Sequence, residues 1–431
     1  MTTENTPHVR GPDDPDYFTG YAHLSIHRTM LQDKTRTLAY KDAILNAKAQ
    51  FKDKIVLDLG CGTGILSHFC LRAGAKTVYA VDASDIADQA RLIAEENGVA
   101  DRLIVLKGRI EELTLPSKVD IIVSEWMGYC LLYESMLDSV LFARDTWLNK
   151  DTGFLFPSHA TIYMAPISDD MYYEDTVDCW QDMYGVKMKS LMPLAQQCFF
   201  YEADVNDLMS TNLMGSTCEL VTLDLMKTQA ADLRELKCNY SMDVTRNANL
   251  TGFCLWFDVL FATTTPSDPP RHRGRRSGPI VLSTSPFSTP THWQQTTLHL
   301  PSQIPLFEGD PVSGTIYLRS NPIHVNRKMT FELHLNTFEV ILPEPSKDED
   351  ETPKLSISKN HIQDDPNLVK LIERASRWRT AVSKTKELGA GPVRINTKHQ
   401  WCPGGIPKSE LPAPTKLGEI NGSLKYDFGM V

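Results

Sequence analysis

The sequence lacks a long apolar run, a closely spaced cysteine pair and any excess of basic charge. Without a long apolar run a membrane span is not expected, and the polar start of the chain lacks the apolar core of a secretory signal. The nine cysteines are odd in number, scattered and never in a CxxC pair, which predicts reduced thiols and no metal site. We therefore expect an intracellular protein, in the cytoplasm, the nucleus or both, with no membrane partner.

Charge and length narrow this expectation. The chain has 54 acidic and 44 basic side chains, a formal net charge of −10, which argues against direct binding of nucleic acid and favours cationic partners. Its 431 residues exceed the usual size of a single hydrophobic core. Two domains are therefore expected.

The first predicted domain covers residues 1–156. Short β-branched runs alternate there with longer amphipathic stretches, which is typical of a doubly wound α/β domain with a parallel sheet. The predicted strands cover 55–59, 77–81, 102–106 and 119–124, and the predicted helices cover 64–71, 84–97 and 134–147.

The apolar pattern changes after Pro157. Many short alternating stretches over 157–342 predict an antiparallel barrel or sandwich, interrupted by a Met-, Tyr- and Trp-rich segment at about 169–205 that is expected to be a helical arm. For 343–431 the sequence predicts a charged linker, one basic helix at 365–388 and an irregular remainder, with no assigned role.

A glycine-rich loop follows the first predicted strand, in VLDLGCGTGIL (56–66). Glycines let a ligand approach the backbone, and ligands of open α/β sheets bind beyond the carboxyl ends of the strands. A dinucleotide fingerprint would require Gly at the position of Ile65, so the pattern favours S-adenosylmethionine over NAD. The acid and the glycines of this motif are Asp58, Gly60, Gly62 and Gly64.

Two later strand ends add candidate cofactor contacts. Asp82 ends the second strand, where a carboxylate can accept hydrogen bonds from both ribose hydroxyls. Glu111 follows the third strand and could reach the adenine amino group, with Ile110 against the ring. Each acid alone is more often an ordinary turn or helix-start residue, but together with the glycine loop they predict a cofactor site.

Two glutamates, Glu125 and Glu134, flank an aromatic, glycine-interrupted loop in SEWMGYCLLYESML (124–137). If the loop folds back like a hairpin, both carboxylates face one pocket, where two anions without a cation would repel each other. A guanidinium resolves this conflict because its planar fork of N–H donors satisfies two carboxylates at once. The motif therefore predicts an arginine side chain as the substrate.

At these motifs the chain resembles the type I protein arginine N-methyltransferases. The resemblance covers about residues 17–342 and rests on YFTGYAHLSIHRTML (17–31), the glycine loop, the double-glutamate loop and THWQQ (291–295). It implies transfer of methyl groups from S-adenosylmethionine to protein arginines, giving monomethyl and asymmetric dimethylarginine. The implied fold is a Rossmann-like domain followed by a β-barrel, with the arm forming a homodimer.

The resemblance also implies roles for individual residues. Glu125 and Glu134 would hold the guanidinium, Asp33 and His292 would form a supporting pair, and Arg36 would bind the methionine carboxylate of the cofactor. Without the family pattern, His292 is more simply a satisfied loop histidine. The other implied cofactor contacts are Tyr17, Phe18, Tyr21, His27 and Met30 of a lid helix, with Cys61 and Ala83; the substrate pocket would contain Tyr21, Met136 and Trp293, with Met30 and Met136 steering the second methyl.

Two alternatives stay open at this point. One is a methyltransferase with the same α/β domain that acts on a small molecule or RNA, and the other is a non-catalytic scaffold. The expected partners are Arg/Gly-rich cationic proteins, such as histones or RNA-binding proteins. The basic segment RHRGRRSG (271–278) resembles such substrates, so automethylation at Arg273 or Arg275 is a hypothesis beside the simpler interpretation as a solvated loop.

Overall fold

The computed structural model describes residues 14–262, 279–320, 327–336 and 423–428. Almost all of these residues belong to the compact unit formed by 1–333 and 424–431. The exceptions are residues 334–336 and residue 423. The basic segment at 271–278, the charged linker and the predicted helix at 365–388 lie outside the described residues.

The N-terminal segment forms several consecutive helices rather than one lid helix. Asp33 separates the second from the third, because its carboxylate accepts a hydrogen bond from the backbone N–H of Arg36 at 2.9 Å and so caps the new helix. No helix among the described residues is long and apolar enough to cross a bilayer. The four helices are α1 (Asp14–Tyr21), α2 (Leu24–Gln32), α3 (Lys34–Asn46) and α4 (Lys48–Phe51).

A five-stranded parallel sheet follows, in the order β3-β2-β1-β4-β5. The four predicted strands and three predicted helices are present, and β5 is an additional short strand that pairs with β4. The strand order reverses between β1 and β4, which places the ligand crevice of such a fold at their carboxyl ends. The strands are β1 (Ile55–Leu59), β2 (Thr77–Asp82), β3 (Leu103–Lys107), β4 (Ile121–Ser124) and β5 (Phe154–Phe156), and the helices are α5 (Ile65–Arg72), α6 (Ile86–Glu96) and α7 (Leu137–Trp147).

The rest of the described chain forms a ten-stranded sheet whose end strands, β8 and β9, meet and close it into a barrel. Its path is β8-β6-β10-β12-β7-β15-β14-β13-β9, and β11 pairs with β10. Most described pairs are antiparallel, but β7 and β15 run parallel. The strands are β6 (His159–Ile167), β7 (Glu202–Asn206), β8 (Cys218–Asp224), β9 (Glu235–Asp243), β10 (Ala248–Phe261), β11 (Ile280–Ser283), β12 (Gln295–Leu306), β13 (Pro311–Ser320), β14 (Met329–Leu335) and β15 (Ser423–Phe428).

The predicted arm is helical over most of its length. It contains α8 (Asp170–Thr176), α9 (Met192–Phe199) and two single turns of 3-10 helix between them. The prediction was wrong for residues 202–205, which belong to β7, a strand that pairs with β12 and β15. The predicted domain boundaries at 156 and 342 remain predictions.

The prediction of an irregular remainder at the end of the chain was wrong for residues 423–428. Residues 423–428 form β15, between β7 and β14 of the barrel. The side chain of Tyr426 is fully buried there, and its hydroxyl donates a hydrogen bond to the backbone carbonyl of His299 at 3.0 Å. This strand is separated from β14 by a long segment, so no local pattern connected the two.

We expect Tyr426→Ala to lower the free energy of unfolding by about 3 kcal/mol, because it leaves a cavity among barrel strands. Tyr426→Phe removes only the bond to His299 and is expected to cost about 1 kcal/mol. Urea denaturation monitored by tryptophan fluorescence measures both changes. Lys425→Ala is the matched control, because Lys425 lies in the same strand with its side chain exposed; equal losses for Lys425→Ala and Tyr426→Ala would show that β15 does not pack as described.

Candidate active site

One cavity of about 440 Å³ opens at the carboxyl ends of β1, β2 and β4. All site residues predicted from the sequence line it, apart from three. Asp58 lies buried beneath the loop, Gly64 precedes α5, and Asp33 lies behind His292. Any contribution of these three to ligand binding is therefore indirect. The predicted residues that line the cavity are Tyr17, Phe18, Tyr21, His27, Met30, Arg36, Gly60, Cys61, Gly62, Asp82, Ala83, Ile110, Glu111, Glu125, Glu134, Met136, His292 and Trp293.

The glycine loop wraps closely around the end of β2. Asp82 accepts a hydrogen bond from the backbone N–H of Gly62 at 2.9 Å and two more from Ser84, from its N–H at 2.8 Å and its hydroxyl at 2.7 Å. Gly60 has a φ of 72°, and a Cβ there would lie 2.3 Å from the terminal methyl of Met136. The positive φ therefore favours glycine at position 60, and a larger residue would also displace the flexible end of Met136.

Asp58 is fully buried under this loop. One oxygen of its carboxylate accepts a hydrogen bond from the Ser67 hydroxyl at 2.6 Å, whereas the other has no hydrogen-bond partner among the described residues. Burial raises the pKa of Asp58 to about 6, although the bonds from Ser67 act in the opposite direction. We infer that Asp58 supports the glycine loop from below.

Glu111 is held at the far side of the cavity. The Ser139 hydroxyl donates a hydrogen bond to its carboxylate at 2.6 Å, and the Nε of Arg109 lies 3.6 Å from the other oxygen. Ile110 beside it is buried and lines the same wall. The acid is thus fixed at the cavity rather than solvated.

Glu125 has an internal cation as its partner. Arg36 Nε and Nη2 both donate to Glu125 Oε2, at 2.9 and 2.8 Å, and both side chains are only 7% exposed. The family resemblance implied that Arg36 binds the cofactor carboxylate, and no cation of the protein itself was predicted beside the two glutamates. In the structure, Arg36 pairs directly with Glu125.

Glu134 is held differently, by phenols. The Tyr21 hydroxyl donates to Glu134 Oε2 at 2.7 Å, and the Tyr17 hydroxyl also hydrogen-bonds to this carboxylate. Burial raises the pKa of Glu134, and the charge of Glu125 adds to this effect. The two phenols and the cation of Arg327 act in the opposite direction and favour the ionised form.

The loop between the glutamates folds back, as its sequence predicted. Gly128 and Leu131 exchange backbone hydrogen bonds of 3.0 Å in both directions. A Cβ on Gly128 would lie 2.0 Å from the backbone oxygen of Tyr133, so only glycine fits there. Glu134 has a φ of 76° and Ser135 one of 56°, a left-handed turn that directs Glu134 into the cavity.

The predicted supporting pair joins the barrel to the N-terminal helices, because His292 precedes β12 and Asp33 lies between α2 and α3. His292 Nδ1 lies 2.8 Å from Asp33 Oδ2, which also accepts from the His292 backbone N–H at 2.9 Å. Burial alone would raise the pKa of Asp33, but the bonds from His292 and the Arg36 backbone together hold it below its ordinary value. Trp293 Nε1 donates to the backbone oxygen of Met127 at 2.9 Å, which ties the barrel to the double-glutamate loop.

The cysteines of the site are packing residues. Burial raises the pKa of Cys130 to about 12 and raises that of Cys61 well above its ordinary value, so both are neutral thiols. The eight cysteines among the described residues are free. No group of three His, Cys, Asp or Glu side chains within the described ranges is placed to hold a metal ion.

Several residues of the cavity wall were not predicted from the sequence as site residues. Arg327 lies just before β14 and contacts both Glu134 and the lid, although a long stretch of sequence separates them. Arg109, Tyr129 and Tyr133 also line the cavity. The two tyrosines were visible in the aromatic loop, whereas no local pattern indicated Arg327.

Family models match both parts of the chain. The model of the arginine methyltransferase oligomerization subdomain matches residues 158–338, and that of the ribosomal protein L11 methyltransferase matches residues 42–136. The probable protein arginine N-methyltransferase 6.2 of Oryza sativa subsp. indica is 44% identical over 328 residues, covering 72% of this chain and 83% of the relative. Protein arginine N-methyltransferase 1 of Saccharomyces cerevisiae is 39% identical, covering 74% and 88%.

The chain belongs to the protein arginine N-methyltransferase family. It is similar to the structure of the Trypanosoma brucei PRMT1 enzyme–prozyme heterotetrameric complex with AdoHcy, with a TM-score of 0.66 and 34% identity over 75% of this chain and 96% of that one. Arginine methyltransferase 10 of Arabidopsis thaliana gives a TM-score of 0.63 and 35% identity over 74% and 94%. The predictions of a Rossmann-like domain with a barrel, of S-adenosylmethionine as cofactor and of protein arginine methylation are confirmed.

We expect Asp58→Asn to change how stability depends on pH. The folded protein raises the pKa of Asp58 from its ordinary value to about 6, so the carboxyl is protonated more readily in the folded than in the unfolded state. Wild-type stability relative to Asp58→Asn should therefore fall as pH rises from about 4 to about 6, by up to about 3 kcal/mol. Parallel urea titrations across this range measure the difference, and a constant or opposite difference would contradict the assignment.

Proposed function

We propose that this arginine methyltransferase holds the substrate guanidinium between Glu125 and Glu134, beside S-adenosylmethionine on the glycine loop. The observation that carries the proposal is that both glutamates and the loop line the same cavity. The countergroups of the glutamates differ, since Arg36 binds one and two phenols bind the other. A planar cation with several N–H donors is the ligand that such a pair fits best.

The cavity suits the cofactor in size and in its polar groups. Its volume lies within the roughly 300–1,000 Å³ of ordinary small-molecule sites, and Gly60 and Gly62 of the loop line it. Asp82 would bind the ribose hydroxyls and Glu111 the adenine amino group. Arg36 has N–H groups beyond the two that bind Glu125, so it can also bind the methionine carboxylate. The lid residues that would cover the cofactor are Tyr17, Phe18, Tyr21, His27 and Met30.

When bound, the cofactor supplies a methyl group on a positively charged sulfur. Substrate arginine is protonated, so its nitrogens are poor nucleophiles until the charge is localised. Glu125 and Glu134 draw the positive charge to the nitrogens they bind and orient the remaining nitrogen toward the methyl group. The raised pKa of Glu134 favours it as the acceptor of the released proton, with the Asp33–His292 pair as the other route.

Met136 supports asymmetric dimethylation as the product. Its terminal methyl lies against the loop at Gly60, and Met136 lines the cavity that both glutamates share. Together with Met30, which also lines the cavity, it would narrow the space beside a bound guanidinium. A monomethylated nitrogen then keeps its place at the methyl donor, and the second methyl goes to the same nitrogen.

Substrates and compartment follow from charge and cysteine chemistry. The net charge of −10 and the paired glutamates favour Arg/Gly-rich cationic proteins, such as histones or RNA-binding proteins. Free cysteines throughout the described residues support a reducing compartment, the cytoplasm or the nucleus. No nucleic acid or membrane is part of the proposal.

The arm supports a head-to-tail homodimer. It exposes large apolar side chains, and Tyr184 at its tip is 99% exposed. Leu24 and Leu38 expose apolar surface on α2 and α3, at the outer face of the cofactor domain. The match to an oligomerization subdomain spans the arm. The other large apolar residues of the arm that are exposed are Met171, Val186, Leu194, Phe199 and Tyr201.

We expect Glu125→Gln and Glu134→Gln each to lower kcat about 100-fold or more, because an amide cannot localise the guanidinium charge. Transfer of labelled methyl from the cofactor to a Gly-Arg-Gly peptide measures turnover, and hydrolysis of the product identifies asymmetric dimethylarginine. A Gly-Lys-Gly peptide and an RNA oligonucleotide test the alternative acceptors. Cofactor binding, measured by calorimetry, should persist in Glu134→Gln.

Glu235→Gln is the matched control, because Glu235 pairs with Arg319 on the barrel and lies outside the cavity. It should turn over like the wild type. Normal turnover in both cavity variants would disprove the proposed mechanism.

We expect Leu194→Glu to convert the dimer to a monomer, because a charge in the centre of an apolar interface is not compensated. Sedimentation velocity at micromolar concentration measures the change. Phe287→Glu is the control, since Phe287 is equally apolar and exposed but lies on the barrel outside the arm. A wild-type monomer, or a dimer that persists in Leu194→Glu, would disprove an interface through the arm.

A further inference from the structure

We propose that Arg327 is a positioning residue for methyl transfer. Through this side chain the barrel holds Glu134 in the cavity and binds helix α1 of the lid beside it. The proposal rests on the function proposed for Glu134. Arg327 lies just before β14, Glu134 follows the double-glutamate loop of the α/β domain, and Tyr17 lies on α1. Three separate parts of the chain therefore meet at this one side chain.

The first contact is a reciprocal pair with the backbone of Glu134. The N–H of Glu134 donates to the backbone oxygen of Arg327 at 2.8 Å, and Arg327 Nη1 donates to the backbone oxygen of Glu134 at 2.8 Å. Glu134 and the following Ser135 have positive φ angles, which side-chain-bearing residues rarely adopt without support. Two hydrogen bonds to one partner supply that support from the barrel.

The second contact is with the lid. The guanidinium carbon of Arg327 lies 3.9 Å from the centre of the Tyr17 ring and 5.4 Å from that of Phe18, within the range of a cation–π contact. Tyr17 in turn hydrogen-bonds to the Glu134 carboxylate. Arg327, Tyr17 and Glu134 thus form a closed triangle, in which docking of the lid and orientation of the carboxylate depend on each other.

The third contribution is charge. The titratable groups that face Glu134 are Tyr17 and Tyr21 of the lid, Tyr129 and Tyr133 of the double-glutamate loop, Glu125 after β4, and Arg327 from the barrel. Among these groups Arg327 carries the positive charge, and it lowers the pKa of Glu134 against burial and the charge of Glu125. A neutral residue at position 327 would therefore shift protonation of Glu134 to higher pH.

The experiment compares Arg327→Ala, Arg327→Lys and wild type in the full chain, with a Gly-Arg-Gly peptide at saturating cofactor. Arg327→Ala should lower kcat by about 10- to 100-fold, as expected when a catalytic group is displaced by about 1 Å. It should also move the acidic limb of the kcat–pH profile to higher pH. Arg327→Lys should return that limb toward wild type, because it keeps the charge, while kcat stays reduced because the planar stacking is lost.

Arg319→Ala is the matched control. Arg319 lies on the neighbouring strand β13, pairs with Glu235 and Glu332, and does not line the cavity. It should lower the melting temperature without moving the pH profile. This control separates an effect on folding of the barrel from an effect on Glu134.

Three outcomes would overturn the proposal: folded Arg327→Ala with a wild-type kcat, an acidic limb that does not move in Arg327→Ala, or Arg327→Lys that matches Arg327→Ala in its pH profile. A failure of the function proposed for Glu134 looks different, since it would appear as normal turnover in Glu134→Gln whatever the Arg327 variants do. Circular dichroism melts identify any variant that is not folded, and Arg327→Lys is the conservative substitution in the series.

Discussion

Two carboxylates share one buried cavity, and the groups that surround them come from several separate parts of the described fold. Neither burial nor proximity favours the charge on Glu134, since both raise its pKa. The protein compensates with unlike groups, an arginine on Glu125 and two phenols with a more distant arginine on Glu134. This asymmetry distinguishes the two glutamates: Glu125 is paired with the guanidinium of Arg36, whereas Glu134 accepts from the Tyr21 hydroxyl and lies in the field of Arg327.

The compensating groups come from parts of the chain that fold as different elements. Arg36 is in α3, the phenols are in α1, and Arg327 is in the barrel. Asp33 has a similar double role, because one oxygen caps α3 while the other accepts from His292 of the barrel. The bond from Trp293 to the backbone of Met127 adds a further tie between barrel and loop. The site therefore exists only where lid, parallel sheet and barrel are packed together, and no single element contains it.

The sequence predicted what depends on local pattern. The glycine loop, Asp82 and the four longer strands were identified by spacing and periodicity, and the double-glutamate loop by its chemistry together with a family resemblance. It did not predict contacts between distant segments: the pair Arg36–Glu125, the contact of Arg327 with Glu134, and the strand β15. The three residues of β5 are too few for an alternating pattern to stand out, and β7 directly follows helical sequence. Only tertiary packing determines these features.

The position of β15 has a consequence for synthesis on the ribosome. The parallel sheet is complete once residue 156 has emerged, so the cofactor domain has all its strands early. The barrel is still incomplete at that stage, because β15, which lies between β7 and β14, begins only at residue 423. Until then both strands present unpaired backbone edges, the feature by which nascent chains associate with one another or recruit chaperones. In this protein the parallel sheet can therefore be complete long before the last strand of the barrel has been synthesised.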